Sequence, residues 1–238
     1  MKCEFIGTYH KDIGEPESNE DKHAVSESGF VIALCDGASE SYDSRLWAAI
    51  LADKYVANPC VTSDWVRQAV DSYSATHDFA SMTWSKQASF ERGSFATLLG
   101  ITRNVEANTI EVLAVGDCIA FLTDGGNLID SWPFKDPELF KQRPTLLSTL
   151  HELNQFASED GFPANRSHTF VLEGLAAPRV FCMSDAIGEW ALRLASEESD
   201  VSKWDELLSA EGLERIVVEQ RQLKRMRVDD STVVALSF

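Results

Sequence analysis

The sequence has no apolar run approaching the roughly 20 residues that a helix needs to cross a bilayer. Its first residues, MKCEFIGTYHKD, place no long apolar stretch after the lysine, as a secretory signal would. Basic residues are scarce: 21 Lys and Arg stand against 38 Asp and Glu, a formal net charge of −17. Neutralising the phosphates of a nucleic acid needs a basic surface, so nucleic-acid binding is disfavoured. An anionic membrane surface is disfavoured for the same reason. Cysteine is sparse, and the 5 present (Cys3, Cys35, Cys60, Cys118, Cys182) are odd in number and lack metal-site spacing. They read as free thiols in a reducing, cytoplasmic compartment. No Pro/Gly/Ser-rich linker, repeat or low-complexity tract interrupts the chain, so residues 1–238 are read as one domain. The 44% hydrophobic and 25% charged residues are those of an ordinary globular protein, not a disordered one.

What is present is a set of short strand-like runs. Lys2 to Tyr9, Lys22 to Ser28 and Phe30 to Cys35 open the chain. FVIALC is continuously apolar, as a strand buried on both faces would be. Leu46, Trp47, Ile50, Leu51 and Tyr55 recur at helix spacing, as do Val66, Ala69, Val70, Tyr73 and Ala80 after a cap at Thr62 or Ser63. Strands are expected over Ser94 to Thr102, Thr109 to Val115 and Ile119 to Leu122, followed by a hairpin turn at Asp124-Gly125-Gly126-Asn127. About Ser131 to Gly174 reads as an irregular insertion with four prolines (Pro133, Pro137, Pro144, Pro163) and one short helix near Leu146 to Phe156. A strand over Arg179 to Met183, two helical segments across Ile187 to Met226 and a strand over Ser231 to Phe238 complete it. Strands come in pairs and helices in pairs. That order predicts an α+β protein with antiparallel sheet and helices packed outside, not an alternating doubly wound fold.

The aspartates fall at strand ends. FVIALC runs into Asp36-Gly37, VFCM into Ser184-Asp185 and IEVLAV into Gly116-Asp117, while Glu20-Asp21 and Asp229-Asp230 precede strands. In an antiparallel sheet the start of one strand lies beside the end of its neighbour, so all five acidic sites can meet at one edge. Carboxylates that close repel one another and are driven upward in pKa. Divalent cations remove the problem, and hard oxygen ligands without His or Cys suit Mg²⁺ or Mn²⁺. Two such ions sharing a carboxylate can clamp a phosphoryl group for in-line attack. Each pair taken singly is also an ordinary turn, since Asp and Gly commonly follow strands.

The same residues resemble the protein phosphatase 2C family of metal-dependent serine/threonine phosphatases. The blocks SNEDKHAV, VIALCDGAS, GSFATLLG, VLAVGDCIAFL, VFCMSDAIGEW and VDDSTVVALSF occur in the family's order across nearly the whole chain. GTYH at Gly7 to His10, with SDAIGEW, resembles a divergent bacterial branch. The resemblance implies a four-layer αββα sandwich, two antiparallel sheets flanked by helix pairs. It implies that Asp36 bridges two metals, that the Gly37 carbonyl binds one, and that Asp185 and Asp229 complete the other site. Glu20 and Asp21 would hold metal-bound waters, and Asp117 a weaker third ion. Asp229 is chosen over Asp230 because the family's aspartate lies three residues before the threonine, here Thr232. The sequence departs from the family where its phosphate-gripping arginine would fall, which is Pro16. It departs again at Ala38-Ser39-Glu40, in place of a glycine pair, and at Ala186, in place of a glycine.

His10 is read as the replacement donor for a substrate phosphate, against the alternative of a surface or capping histidine, with Lys11 or a residue of the Ser131 to Gly174 insertion the next choice. His23, His77, His151 and His168 show no partner pattern. Cys35, Cys118 and Cys182 read as small apolar filler. The tryptophans, Trp47, Trp65 and Trp190 among them, read as core, and Glu197-Glu198 to Asp200 as a solvated loop. The expected activity is hydrolysis of phosphoserine or phosphothreonine in a phosphorylated protein by a monomer carrying Mn²⁺ or Mg²⁺. Two other readings stay open: an inactive phosphatase-like module that binds a partner, favoured by Pro16 and Ala186, and an unrelated α/β binding protein whose acids are all turns.

Overall fold

The computed structural model describes residues 1–12, 14–197 and 203–238; the expected loop at Glu198 to Asp200 lies outside the described residues. In chain order the elements are β1 (Lys2–Tyr9), β2 (Lys22–Val25), β3 (Val31–Cys35), α1 (Ser44–Ala57), α2 (Ser63–Ala75), α3 (Trp84–Glu91), β4 (Phe95–Ala96), β5 (Leu98–Asn104), β6 (Thr109–Val115), β7 (Ile119–Asp124), β8 (Asn127–Trp132), β9 (Leu147–Ser148), β10 (Ser167–Val171), β11 (Pro178–Met183), α4 (Asp185–Ser196), α5 (Lys203–Glu206), α6 (Ala210–Gln222) and β12 (Ser231–Ser237).

Two five-stranded sheets form, ordered β1-β12-β11-β7-β8 and β10-β6-β5-β3-β2. Every pairing in them is antiparallel. The apolar runs are continuous because each sheet is covered on both faces. Along β3, Ile32 and Leu34 enter the layer between the sheets, while Ala33 and Cys35 face α1 and α2. Along β12, Val234 and Leu236 point to the same inter-sheet layer, and Val233 and Ala235 pack with Trp190, Ile216 and Val217 of α4 and α6. Three apolar layers thus separate four structural layers, helices–sheet–sheet–helices, which is the expected αββα sandwich. Each fully buried aliphatic side chain there contributes about 1.5–3 kcal/mol.

Several expectations are corrected. The run Ser94 to Thr102 is not one strand: β4 and β5 are separated at Thr97. The expected helix over Leu146 to Phe156 is instead the two-residue β9, paired with β4, followed by a 3₁₀ helix over His151–Ser158. The Asn154 side chain causes this, bonding the Ser148 N–H and the Ser148 and Leu150 carbonyls. The insertion also contains β10, an edge strand on β6. Helix α2 stops at Ala75, short of Ala80. The eight-residue α3 has no buried residue, so it lacked an apolar period to announce it. Its Trp84 is 83% exposed and departs from the core reading, whereas Trp47, Trp65 and Trp190 are buried. His77 and His168 do have acidic neighbours, Asp43 at 3.7 Å and Asp130 at 2.7 Å. The turn at Gly125-Gly126 forms as expected, both glycines having positive φ.

Candidate functional site

Strand register carries the acids to one edge. Cys35, the last residue of β3, pairs with Lys22, the first of β2, so Asp36 and Asp21 emerge together. Leu98 at the start of β5 pairs with Val115 at the end of β6, which puts Thr97 beside Gly116-Asp117. In the other sheet Met183 pairs with both Val233 and Ile119, bringing Asp185, Asp229 and Asp117 to that end. The segment Gly116-Asp117-Cys118 crosses from one sheet to the other at the same place. Only glycine fits at 116: φ is +108°, and a Cβ would lie 2.6 Å from Thr97 Cγ2. At Gly37 a Cβ would lie 2.8 Å from the Ser44 carbonyl oxygen, so α1 can approach the loop only because no side chain is there.

A cavity of about 160 Å³ opens at this edge, lined by Asp36, Gly37, Asp117, Asp185 and Asp229, with Thr97 and Ser39 among its polar neighbours. Asp36 is fixed by its backbone: its N–H donates to Thr97 Oγ1 and its carbonyl accepts the Thr97 N–H, both at 2.8 Å. Thr97 breaks the strand to do this. Asp185 opens α4, where the helix N-terminus favours a negative charge. Its Oδ2 pairs with Arg227, while its Oδ1 is buried without a partner. Asp21 is 4% exposed and does not line the cavity. Neither of its carboxylate oxygens has a hydrogen bond of ordinary geometry; the Thr232 and Ser184 hydroxyls offset only part of the cost of its burial.

The electrostatics follow. Burial, then the neighbouring acids, push Asp36 well above the usual carboxylate range. Burial raises Asp185 to about 8 against the attraction of Arg227, and Asp21 to about 7. Asp117 is raised by burial too, with Arg227 opposing. Glu20 goes the other way: burial would raise it, but hydrogen bonds from Lys11, Ser39 and Ser44 hold it below its ordinary value. Asp229 and Asp230 divide their work. Asp229 faces the cavity, and Asp230 is buried, accepting the backbone N–H groups of Lys11 at 2.9 Å and Glu20 at 3.1 Å.

The donor set fits hard divalent cations: carboxylates at one edge, a glycine carbonyl among them, orphaned oxygens on Asp21 and Asp185, and no thiol or imidazole lining the cavity. As the side chains stand, no three acidic, His or Cys groups among the described residues already converge on one point at metal-binding spacing. The arginine on Asp185 and the lysine on Glu20 supply the countercharge instead.

His10 follows β1 and is not among the residues lining the cavity; its Nδ1 is buried without a partner and its carbonyl accepts from Arg221. Lys11 is closer to the acids, with Nζ on Glu20 and Ser39 and 4.0 Å from Asp229 Oδ1. Pro16 sits in a 3₁₀ turn with no buried residue. Sequence reasoning missed Arg227 and Thr97. Arg227 lies two residues before Asp229, and the apolar context that marks a strand end does not mark it. All five cysteines are free, and Cys35, Cys118 and Cys182 are buried filler as expected. No helix among the described residues is long and apolar enough to cross a membrane.

No family model matches the sequence, and no curated protein does. Solved structures do. The chain is similar to the Mycobacterium tuberculosis serine/threonine phosphatase PstP/Ppp, at 15% identity over 97% of this chain and 96% of that one, with a TM-score of 0.61. It is similar to the photosystem II phosphatase PBCP, at 16% identity over 98% of each chain, TM-score 0.57. A PstP catalytic domain in complex with two manganese ions superposes over 98% of this chain and 96% of that one at 17% identity, TM-score 0.56. The fold is therefore the one these phosphatases share, the sandwich that the phosphatase 2C resemblance implied.

Proposed function

We propose that the chain is a metal-dependent phosphatase that hydrolyses phosphoserine or phosphothreonine in a phosphorylated protein. The observation that carries the reading is the single cavity walled by Asp36, Gly37, Asp117, Asp185 and Asp229 at the common edge of both sheets. The manganese bound by a protein of the same fold supports it. Asp36, between the two sheets' contributions, is assigned the bridging role, with the Gly37 carbonyl on one side and Asp185 and Asp229 on the other. Asp117 is assigned a weaker third position. Glu20 and Asp21 are assigned the outer positions, where they would hold metal-bound waters. When bound, Mn²⁺ or Mg²⁺ supplies Lewis-acid charge and an activated water for direct attack on phosphorus.

The chain's own residues do the rest. Thr97 locks the Asp36 backbone, so only the side chain has to turn to meet a cation. Lys11 stays protonated: burial disfavours its charge, but the Glu20 hydrogen bond together with the attraction of Glu20, Asp229 and Asp230 outweighs this and raises its pKa. Lys11 and His10 are the donors assigned to the incoming phosphate dianion. Arg227 now holds Asp185 Oδ2 and would have to yield that oxygen for both carboxylate oxygens to reach a cation. The test is hydrolysis of p-nitrophenyl phosphate during titration with Mn²⁺ and with Mg²⁺. Metal-dependent turnover that is lost in Asp36→Asn supports the reading, and absence of turnover at millimolar metal overturns it in favour of a binding module.

A further inference from the structure

The acidic cavity is not isolated. Ala38, Pro144 and Leu146 line both it and a larger cavity of about 540 Å³. Most of the larger cavity's wall comes from outside the two sheets: the end of α3, and the segment around β9 that reads as an insertion. Its apolar lining includes Phe95, Leu146 and the half-exposed Leu153. Its charged groups are Arg92, Arg143 and Glu40, a net positive lining in a chain whose net charge is −17.

Both arginines are exposed. Arg92 donates to Ser89 Oγ at 2.9 Å, and neither arginine forms an ion pair with any described residue. Elsewhere the guanidinium groups of Arg179, Arg193 and Arg215 are spent on carboxylates of this chain. A guanidinium is a planar donor fork that matches a carboxylate, and neither of these two is engaged by one. Two of them suit one or two carboxylates, not a long polyanion.

We propose that this cavity is the subsite for the residues flanking the phosphorylated residue of the substrate. It selects a segment in which an acidic side chain adjoins an apolar one. The inference rests on the phosphatase reading and adds a substrate class to it. An extended peptide advances about 3.3 Å per residue, so a chain leaving the acidic cavity across the wall formed by Pro144 and Leu146 enters the larger one within a residue or two. The apolar neighbour lies on Leu146 and Leu153, and the carboxylate meets Arg92 and Arg143.

Three phosphothreonine peptides test this, identical except for Asp, Lys or a second phosphothreonine at the flanking position, each beside a leucine. With wild-type protein and Mn²⁺, kcat/KM is expected to favour the Asp peptide over the Lys peptide by about 10-fold, a difference of about 1.4 kcal/mol. In an Arg92→Glu/Arg143→Glu double variant, checked for folding by its melting curve, that ratio should invert. An unchanged ratio in the double variant, or no preference in wild type while p-nitrophenyl phosphate is still hydrolysed, overturns the subsite and leaves the phosphatase reading standing. Stronger turnover of the doubly phosphorylated peptide than of the Asp peptide overturns the choice of carboxylate as ligand. If wild type hydrolyses no ester at all, the phosphatase reading is what fails. Fluorescence anisotropy with labelled Asp and Lys peptides then decides the subsite, by whether the double variant reverses their order of binding.

Discussion

Asp230 and Lys11 lie at opposite ends of the chain, yet the Asp230 carboxylate accepts the Lys11 backbone N–H at 2.9 Å. Its other oxygen accepts the Glu20 N–H at 3.1 Å. One buried side chain therefore fixes both the segment that leaves β1 and the segment that enters β2. Asp229, one residue earlier, faces the cavity. Adjacent aspartates thus carry separate tasks, one architectural and one chemical.

The first prediction separates them. Asp230→Ala removes two hydrogen bonds to a charged acceptor, each worth about 1.5–3 kcal/mol, and leaves two half-buried N–H groups unpaired. It should lower unfolding free energy by roughly 3 kcal/mol, while Asp230→Asn, which keeps one acceptor, should lose about half of that. Asp229→Asn should change stability little and weaken Mn²⁺ binding. Urea denaturation and calorimetry on the three variants check the division. An Asp230→Ala protein as stable as wild type would refute the anchor.

The second prediction concerns Asp36. As the bridging ligand it serves both metal positions, so Asp36→Asn should remove Mn²⁺ binding at both, and turnover with it. Without metal the variant should be more stable near neutral pH than wild type, because it need neither hold a charge among Asp21, Asp185, Asp229 and Asp117 nor take up the proton that their crowding and burial impose on Asp36. Calorimetric titration and melting curves read both effects. Unchanged Mn²⁺ affinity in Asp36→Asn would remove it from the bridging position.

Much of this was legible in the sequence. The run FVIALC announces a strand covered on both faces, and β3 is one, with Ile32 and Leu34 on one side and Ala33 and Cys35 on the other. The strand-end acids converge because antiparallel register makes neighbouring ends meet, a rule that needs no coordinates. What stayed hidden depends on contacts between distant residues. Nothing local marks Thr97 as a strand break, since its hydroxyl is spent on Asp36 across 61 positions. Helix α3 has no fully buried residue and sends only Phe90 against the core cluster, so it has no apolar period. The stretch over Leu146 to Phe156 looks helical by composition, but the Asn154 amide bonding to Ser148 and Leu150 keeps it in a β bridge and 3₁₀ turns.

The third prediction is a pH dependence of the metal-free protein. Asp21 at about 7 and Asp185 at about 8 hold protons that an unfolded chain releases near pH 4. Between those limits the native state binds more protons than the unfolded state, so stability falls as pH rises, by up to about 1.4 kcal/mol per pH unit for each extra proton. Melting temperature without metal should therefore decline from pH 5 to pH 8. Saturating Mn²⁺ should reverse the trend, because ligand carboxylates must be ionised and metal competes with their protons. Asp21→Asn should flatten the metal-free slope. A metal-free melting temperature that rises over this range would contradict the crowded, protonated cluster.

The last prediction concerns the grip on the phosphate. A phosphate monoester is a dianion near neutral pH, and a cavity walled by aspartates repels it unless cations answer its charge. Metal ions meet part of the need, but orientation requires a hydrogen-bond donor. Pro16 has no side-chain donor and no backbone N–H. Two residues beyond β1 remain. Lys11 Nζ is already among the acids, tied to Glu20 and Ser39 and 4.0 Å from Asp229. A short shift of a flexible side chain turns it toward the cavity. His10 holds a buried, unpartnered Nδ1 one residue away and can donate from either tautomer. Lys11→Ala should therefore raise KM and lower kcat for a phosphopeptide, by about 10-fold or more in kcat/KM for a lost charge-assisted bond. His10→Ala should lower turnover while leaving Mn²⁺ affinity nearly intact, with His10→Arg tolerated better than His10→Ala because it restores a donor. Lys11→Ala also frees Glu20, so Mn²⁺ binding must be measured alongside. Steady-state kinetics at saturating metal, on p-nitrophenyl phosphate and on a phosphopeptide, distinguish the two donors. If both alanine variants keep wild-type kinetics on both substrates, the phosphate is held from elsewhere on the rim, and Arg227 becomes the group to replace.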